Sequence, residues 1–285
     1  MLVGVNGVVV SQPYGKASTP KESVDITLKA GIKCFTIPVK APIWGINPEK
    51  ITEDEITKIR GLFGSGVMAT GLGFCWPSDY LMITDSKAEW ERNLNYSNRL
   101  CDIASALGIK NIVIGAPGRS VPLNHPYYDG VKLLSKFWKE ACLYAESYGV
   151  TFCFEHASIM RCNVGNTTRS LIDLFDAVDS PSFQLIAQIH DMAINDLDIP
   201  SAIKAMRGKV KQVHIADVSS LNPYTEPSTS TVLPGSGKLD FVEIFKALKD
   251  VGYDGEICIE TMLGDDLAAE LSESRKHIES KWREA

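Results

Sequence analysis

Three short apolar runs each end in a side chain able to bind a metal ion: Thr151-Phe-Cys-Phe-Glu155, Val210-Lys-Gln-Val-His214 and Glu256-Ile-Cys-Ile-Glu260. Two carboxylates and an imidazole suit Mn²⁺, Co²⁺, Mg²⁺ or Zn²⁺, and the lack of thiolates at those tips argues against a structural zinc site. A lone Glu at a strand end reads equally well as a polar loop residue, but three at equivalent tips point to ligands. A fourth ligand is expected from the run Phe183 to Asp191, which offers Gln188, His190 and Asp191. Strand alternation puts Gln188 and His190 on one face, with Asp191 opening the next loop. An amide oxygen binds a hard cation without adding charge, so a Gln ligand weakens divalent affinity relative to Asp.

Residues so far apart in sequence share one ion only if their strands converge. Short β-branched or aromatic runs alternate with longer amphipathic stretches along the chain, the pattern of repeated βα units around a parallel sheet. Eight strands are expected near Val3 to Val10, Cys34 to Val39, Val67 to Phe74, Asn111 to Gly115, Thr151 to Glu155, Gln184 to Ile189, Val210 to Ile215 and Glu256 to Glu260. Thr19/Glu22, Thr52/Glu55 and Ser86/Glu89 have capping-box spacing, and Gly31, Gly108, Gly149 and Gly252 follow helical runs as left-handed caps. With 285 residues, the chain suits one (β/α)₈ TIM barrel of the α/β class filling a single domain, 1–285. Strand tips in that fold meet on one face. Ser219 to Gly237, rich in Pro, Ser and Thr, is a candidate lid on that face.

Composition excludes other classes. A formal charge of -6 does not suit phosphate-backbone binding, so no nucleic-acid partner is expected. Five histidines are too few for the trinuclear zinc site of an endonuclease-IV-like repair enzyme. The apolar N-terminus lacks a basic leader and reads as the first strand, and no segment reaches the roughly 20 apolar residues of a membrane helix. Seven dispersed cysteines without CxxC pairs point to reduced thiols in a soluble, cytoplasmic protein.

The motifs Cys153-Phe-Glu155, Gln212-Val-His214-Ile-Ala-Asp217, Leu233-Pro-Gly-Ser-Gly-Lys-Leu-Asp240-Phe and Val251-Gly-Tyr-Asp-Gly-Glu-Ile-Cys-Ile-Glu260 follow one another in the C-terminal half. In types and order the chain resembles the xylose isomerase-like superfamily, especially its ketose 3-epimerases and the inosose and hydroxypyruvate isomerase relatives. Ile114-Gly-Ala-Pro-Gly-Arg119 and Asn166-Thr167 are weaker echoes. The resemblance covers nearly the whole chain and implies one divalent ion held by Glu, Asp, His and Glu from strands five to eight. Glu155, His214 and Glu260 match directly, and Gln188 stands where the family usually has Asp. It also implies that Asp191 holds the place of a substrate-contacting His. Arg161 holds that of a substrate-contacting acid and Ser220 that of an Arg, so those contacts are not retained. The family's frequent dimers and tetramers imply a homo-oligomer.

Other neighbours are expected near the substrate. His156 follows Glu155 and either touches substrate or caps the strand, and Arg119 either binds a carboxylate or phosphate or makes a surface ion pair. Trp76, like Trp44, either packs on a sugar or belongs to the core. Asp217 either orients His214 through its second nitrogen or faces solvent. Arg161, His190 and Asp191 complete the expected substrate neighbours.

An ion bridging a carbonyl and an adjacent hydroxyl acidifies the carbon between them, and Glu155 and Glu260 are the expected acid and base. The expected reaction on a sugar or polyol is isomerisation or epimerisation through an enediolate. A dehydratase losing hydroxide after the same abstraction, and a sugar-binding member without turnover, are the alternatives.

Overall fold

The computed structural model describes all residues except 65, 197 and 223–229. Eight parallel strands close into a barrel: β1 (Leu2–Asn6), β2 (Cys34–Pro38), β3 (Met68–Gly73), β4 (Asn111–Ile114), β5 (Thr151–Glu155), β6 (Phe183–Gln188), β7 (Val210–Ile215) and β10 (Glu256–Ile259). A short antiparallel ribbon, β8 (Asp217–Val218) with β9 (Thr231–Val232), follows the seventh barrel strand. Around the barrel run α1 (Pro20–Lys29), α2 (Glu53–Arg60), α3 (Lys87–Leu107), α4 (Tyr127–Tyr148), α5 (Thr168–Val178), α6 (Ile189–Asn195), α7 (Ile199–Ala205), α8 (Phe241–Asp250) and α9 (Leu267–Glu284). Among the described residues no helix is long and apolar enough to cross a membrane, and all seven cysteines are free and buried.

The four strands that carry the expected ligands share one parity. Phe152, Phe154, Leu185, Ala187, Val213, Ile215, Ile257 and Ile259 face the helix layer and join the main core. The residues between them point into the barrel, where Cys153 and Ile186 meet Val113 in a separate small cluster. Successive strand residues face opposite ways, so the same alternation turns Glu155, Gln188, His214 and Glu260 inward at the tips. Burying each large apolar side chain stabilises by roughly 1.5–3 kcal/mol, so a one-residue slip of any strand is strongly disfavoured. In β7 the register skips Lys211, pairing Leu185 with Val210 but Ile186 with Gln212. That bulge brings Gln212 and His214 into phase with Ile186 and Gln188.

Local differences from the sequence expectations have identifiable causes. The first strand stops at Asn6, whose side chain accepts the Val8 amide and starts a 3₁₀ turn over Gly7–Val9. Of the three expected capping boxes, the one at Thr52/Glu55 is complete. Glu22 instead binds the Ser18 amide and hydroxyl, and Glu89 binds Thr84. A box at Thr167/Ser170 uses Ser in place of Glu. All four expected C-cap glycines have positive φ. After Gln188 the chain turns straight into α6, so His190 and Asp191 lie on its first turn and the strand parity expected for Gln188 and His190 ends there.

The loop after β4 shows how tightly the barrel mouth is packed. Gly118 has φ +77°, and a Cβ there would lie 2.4 Å from the Tyr80 carbonyl oxygen and 2.6 Å from Trp76 Nε1. Gly118→Ala is expected to lower stability by about 2 kcal/mol or more, a fall in Tm of roughly 4–8 °C. Differential scanning calorimetry checks this, and an unchanged Tm would contradict the packing.

Candidate metal centre

Glu155, His214 and Glu260 come together at the C-terminal mouth of the barrel, each offering a ligand atom within 4.8 Å of the others. His214 Nδ1 lies 2.7 Å from Glu260 Oε2 and 3.6 Å from Glu155 Oε2. The closer approach is a direct polar contact between the ring and the carboxylate. The other ring nitrogen, Nε2, lies 3.3 Å from Gln212 Oε1. An amide oxygen only accepts, so Nε2 donates to it and Nδ1 is the ring nitrogen that faces the two carboxylates.

Gln188, paired in register with His214, donates from Nε2 to Glu260 Oε2 at 3.2 Å, and its buried Oε1 has no partner among the described residues. Two carboxylates, an imidazole and an amide oxygen with no partner among the described residues thus gather in one buried place. Such a set calls for protons or a cation, and its donors fit a hard or borderline divalent ion. The Gln212 contact fixes the orientation of the His214 ring.

The acid–base behaviour follows from this crowding. Burial, then the neighbouring Glu260 charge, push the Glu155 carboxyl up to about 7, against the pull of His214 and Arg161. Burial also opposes ionisation of Glu260, but contact with His214 and the Gln188 amide outweigh it and hold Glu260 at about 2. His214 is raised despite its burial, because both glutamates favour its charged form.

A cavity of about 450 Å³ opens above, lined among others by Asn6, Tyr14, Phe74, Trp76, Glu155, Arg161 and Glu260. Gln188 and His214 touch Glu260 without lining it. Phe74 has φ +47°, a rare backbone state for an aromatic residue, at the cavity edge. Gly115 leaves room for Glu155: a Cβ there would sit 2.9 Å from Glu155 Oε1.

The other expected site residues divide between cavity and scaffold. Trp76 and Arg161 reach the cavity. Arg161 Nη2 donates to the buried Asp191 at 2.6 Å, and His190 lies buried beside the same carboxylate at 3.9 Å. Arg119 is not at the cavity. It is fully buried, stacked on Phe154 at 4.5 Å, and Nη1 donates to the Glu155 carbonyl at 2.8 Å. His156 is buried as well, with Nδ1 3.2 Å from the Ile186 carbonyl and Nε2 2.9 Å from Thr168 Oγ1. Burial lowers its pKa to about 3, so it is a neutral tie between β5, β6 and α5.

Trp44 packs in the core against Phe35 and Phe63. Asp217 neither orients His214 nor faces solvent. It accepts the amides of Val218, Gly235, Gly237 and Leu239, anchoring the loop after β7. The middle of that candidate lid, 223–229, lies outside the described residues. Gln212, Asn6 and Phe74 were not anticipated. Gln212 shares its face with His214 by simple alternation, and Asn6 is a strand tip, so both carried a readable signal.

Similarity to known proteins adds a family context. The model of a family described as xylose isomerase-like TIM barrel matches residues 24–281. A D-psicose 3-epimerase of Ruminiclostridium cellulolyticum is 23% identical over 185 residues, covering 65% of this chain and 45% of that protein, less than half its length. An inosose dehydratase of Clostridium perfringens is 26% identical over 205 residues, covering 63% of this chain and 68% of that protein. The solved IOLI protein with a zinc atom has the same fold, with TM-score 0.77 at 16% identity over 99% of this chain and 96% of that one.

In metal-stripped protein one glutamate carboxyl is expected to titrate near pH 7 and to vanish in Glu155→Gln, read by ¹³C NMR of Glu-labelled protein. The raised carboxyl binds a proton in the folded state that the unfolded chain has already lost. Folding stability relative to Glu155→Gln should therefore fall as pH rises from about 4.5 through 7. A Glu155 signal titrating near 4.5 would contradict the geometry.

Proposed function

Given that the chain belongs to the xylose isomerase-like TIM barrel family, we propose that it is a divalent-metal-dependent sugar isomerase or epimerase moving a proton beside a carbonyl. The observation that carries this reading is the meeting of Glu155 and Glu260 around His214 Nδ1, with the Gln188 amide oxygen left unpaired beside them. Glu155, Gln188, His214 and Glu260 are the residues that would hold the ion. When bound, it would polarise the substrate carbonyl and acidify the adjacent C–H.

The chain's own residues do the rest. Two carboxylates that meet at one buried point suit opposite roles in one proton transfer. Glu155 and Glu260, on either side of His214 Nδ1, are placed for one to take the proton and the other to return it. Return to the opposite face of the same carbon gives an epimer; return to the neighbouring carbon gives the aldose–ketose isomer. Trp76 and Phe74 offer apolar faces that keep water from the reacting centre.

The inosose dehydratase relative favours a second reading, in which the same abstraction is followed by loss of hydroxide from the next carbon. Product analysis separates the two, since only the dehydratase gives a product lighter by one water.

The test is elemental analysis of the purified protein after incubation with Mn²⁺, Co²⁺, Mg²⁺ or Zn²⁺, together with solvent-deuterium wash-in on a panel of ketoses. About one ion per chain and deuterium incorporation are expected. Glu260→Gln should lose the ion and lower incorporation by roughly 10³-fold or more. A protein that takes up no ion and exchanges no proton would sink the proposal.

A further inference from the structure

Building on the proton-transfer reading above, we infer that the substrate is an acidic sugar or polyol whose carboxylate or phosphate docks on Arg161. Three charged side chains line the cavity among the described residues: Glu155, Glu260 and Arg161. The two glutamates belong to the ion and the proton transfer, which leaves Arg161 as the cavity's one cation without a chemical task.

Its setting is built rather than casual. Asp191, fully buried on the first turn of α6, accepts Nη2 at 2.6 Å and fixes the guanidinium from behind. That contact uses one of five N–H donors. Among the described residues, no side-chain or backbone oxygen accepts a hydrogen bond from Nε or Nη1. The side chain keeps 36% of its surface exposed, so the free edge is open to a ligand. A guanidinium held by one carboxylate offers its remaining donors as a planar fork, which matches a second carboxylate or a phosphoryl group better than a single hydroxyl.

Charge points the same way. Asp191 balances Arg161, and a divalent ion would balance Glu155 and Glu260, so the loaded cavity carries no net charge to repel an anion. Local donors then decide what binds. The volume of about 450 Å³ accommodates a six-carbon sugar acid or sugar phosphate. A neutral sugar in the same place would leave the free edge of Arg161 to water.

Binding of inert analogues tests this independently of turnover. Calorimetric titration of the metal-loaded protein would compare a hexitol, the matching hexonate and the hexitol phosphate. The hexonate or the phosphate is expected to bind about tenfold to 100-fold tighter than the hexitol, and whichever of the two is tighter identifies the anionic group. That advantage should collapse in Arg161→Gln, survive in part in Arg161→Lys, and collapse again in the double variant Arg161→Gln/Asp191→Asn. The double variant removes both halves of the pair and leaves no buried orphan charge to unfold the protein.

Equal affinity of all three ligands for the unmodified protein would overturn the inference, and that comparison needs no variant. An anion advantage undiminished by the Arg161 substitutions would also overturn it, because the ion alone would then hold the anion. Deuterium wash-in keeps the two proposals apart. Anion preference without exchange on any substrate sinks the proton-transfer reading alone, whereas exchange on neutral ketoses without anion preference sinks the Arg161 assignment alone.

Discussion

Everything at the mouth of this barrel depends on strand parity. The helix layer demands an apolar side chain at every second position of β5, β6, β7 and β10, and it receives Phe152, Phe154, Leu185, Ala187, Val213, Ile215, Ile257 and Ile259. The positions between are free of that demand, and at the tips they carry Glu155, Gln188, His214 and Glu260. The core therefore aims the polar groups without contacting them. Where plain alternation would have gone out of phase, the bulge at Lys211 restores it.

What the core delivers is a cluster that is poorly satisfied as it stands. Burial and repulsion raise one carboxyl, contacts with His214 and Gln188 keep its partner ionised, and an amide oxygen is left over among the described residues. A buried polar atom without a partner costs about 1–3 kcal/mol, so the surrounding packing carries a local penalty that a ligand can relieve. Neutral His156, the Arg119 contact to the Glu155 carbonyl and Asp217 with its four amides stand around the cluster and hold the backbone in place.

Much of this was legible in the residues themselves. Three runs ending in Glu155, His214 and Glu260 announced convergent strands, and the helix-Gly-strand rhythm announced the units between them. Side chains whose role depends on contacts across the fold were not legible. Arg119 sits in a loop sequence that suits an anion site, yet it turns inward because Phe154 offers its ring and β5 offers a carbonyl. Asp217 follows His214 closely enough to suggest an orienting role, but four nearby amides compete for its oxygens and win. Gln212 took that orienting role because alternation places it, and not Asp217, on the face of His214. The sixth strand ended earlier than its apolar run suggested, since α6 begins at Ile189 and removes His190 from the strand face.

The Arg119 contact divides the barrel mouth into two kinds of territory. Glu155 has its carbonyl clamped, its preceding ring stacked under a guanidinium and its following residue tied on both ring nitrogens. That side of the barrel offers chemistry at a fixed address. Much of the opposite cavity wall comes from Asn6, Tyr14, Phe74 and Trp76, on the first strand and the loops after the first and third strands. Changes there can reshape what enters without shifting the carboxylates, so this half of the mouth is where the fold can acquire new substrates while keeping one reaction.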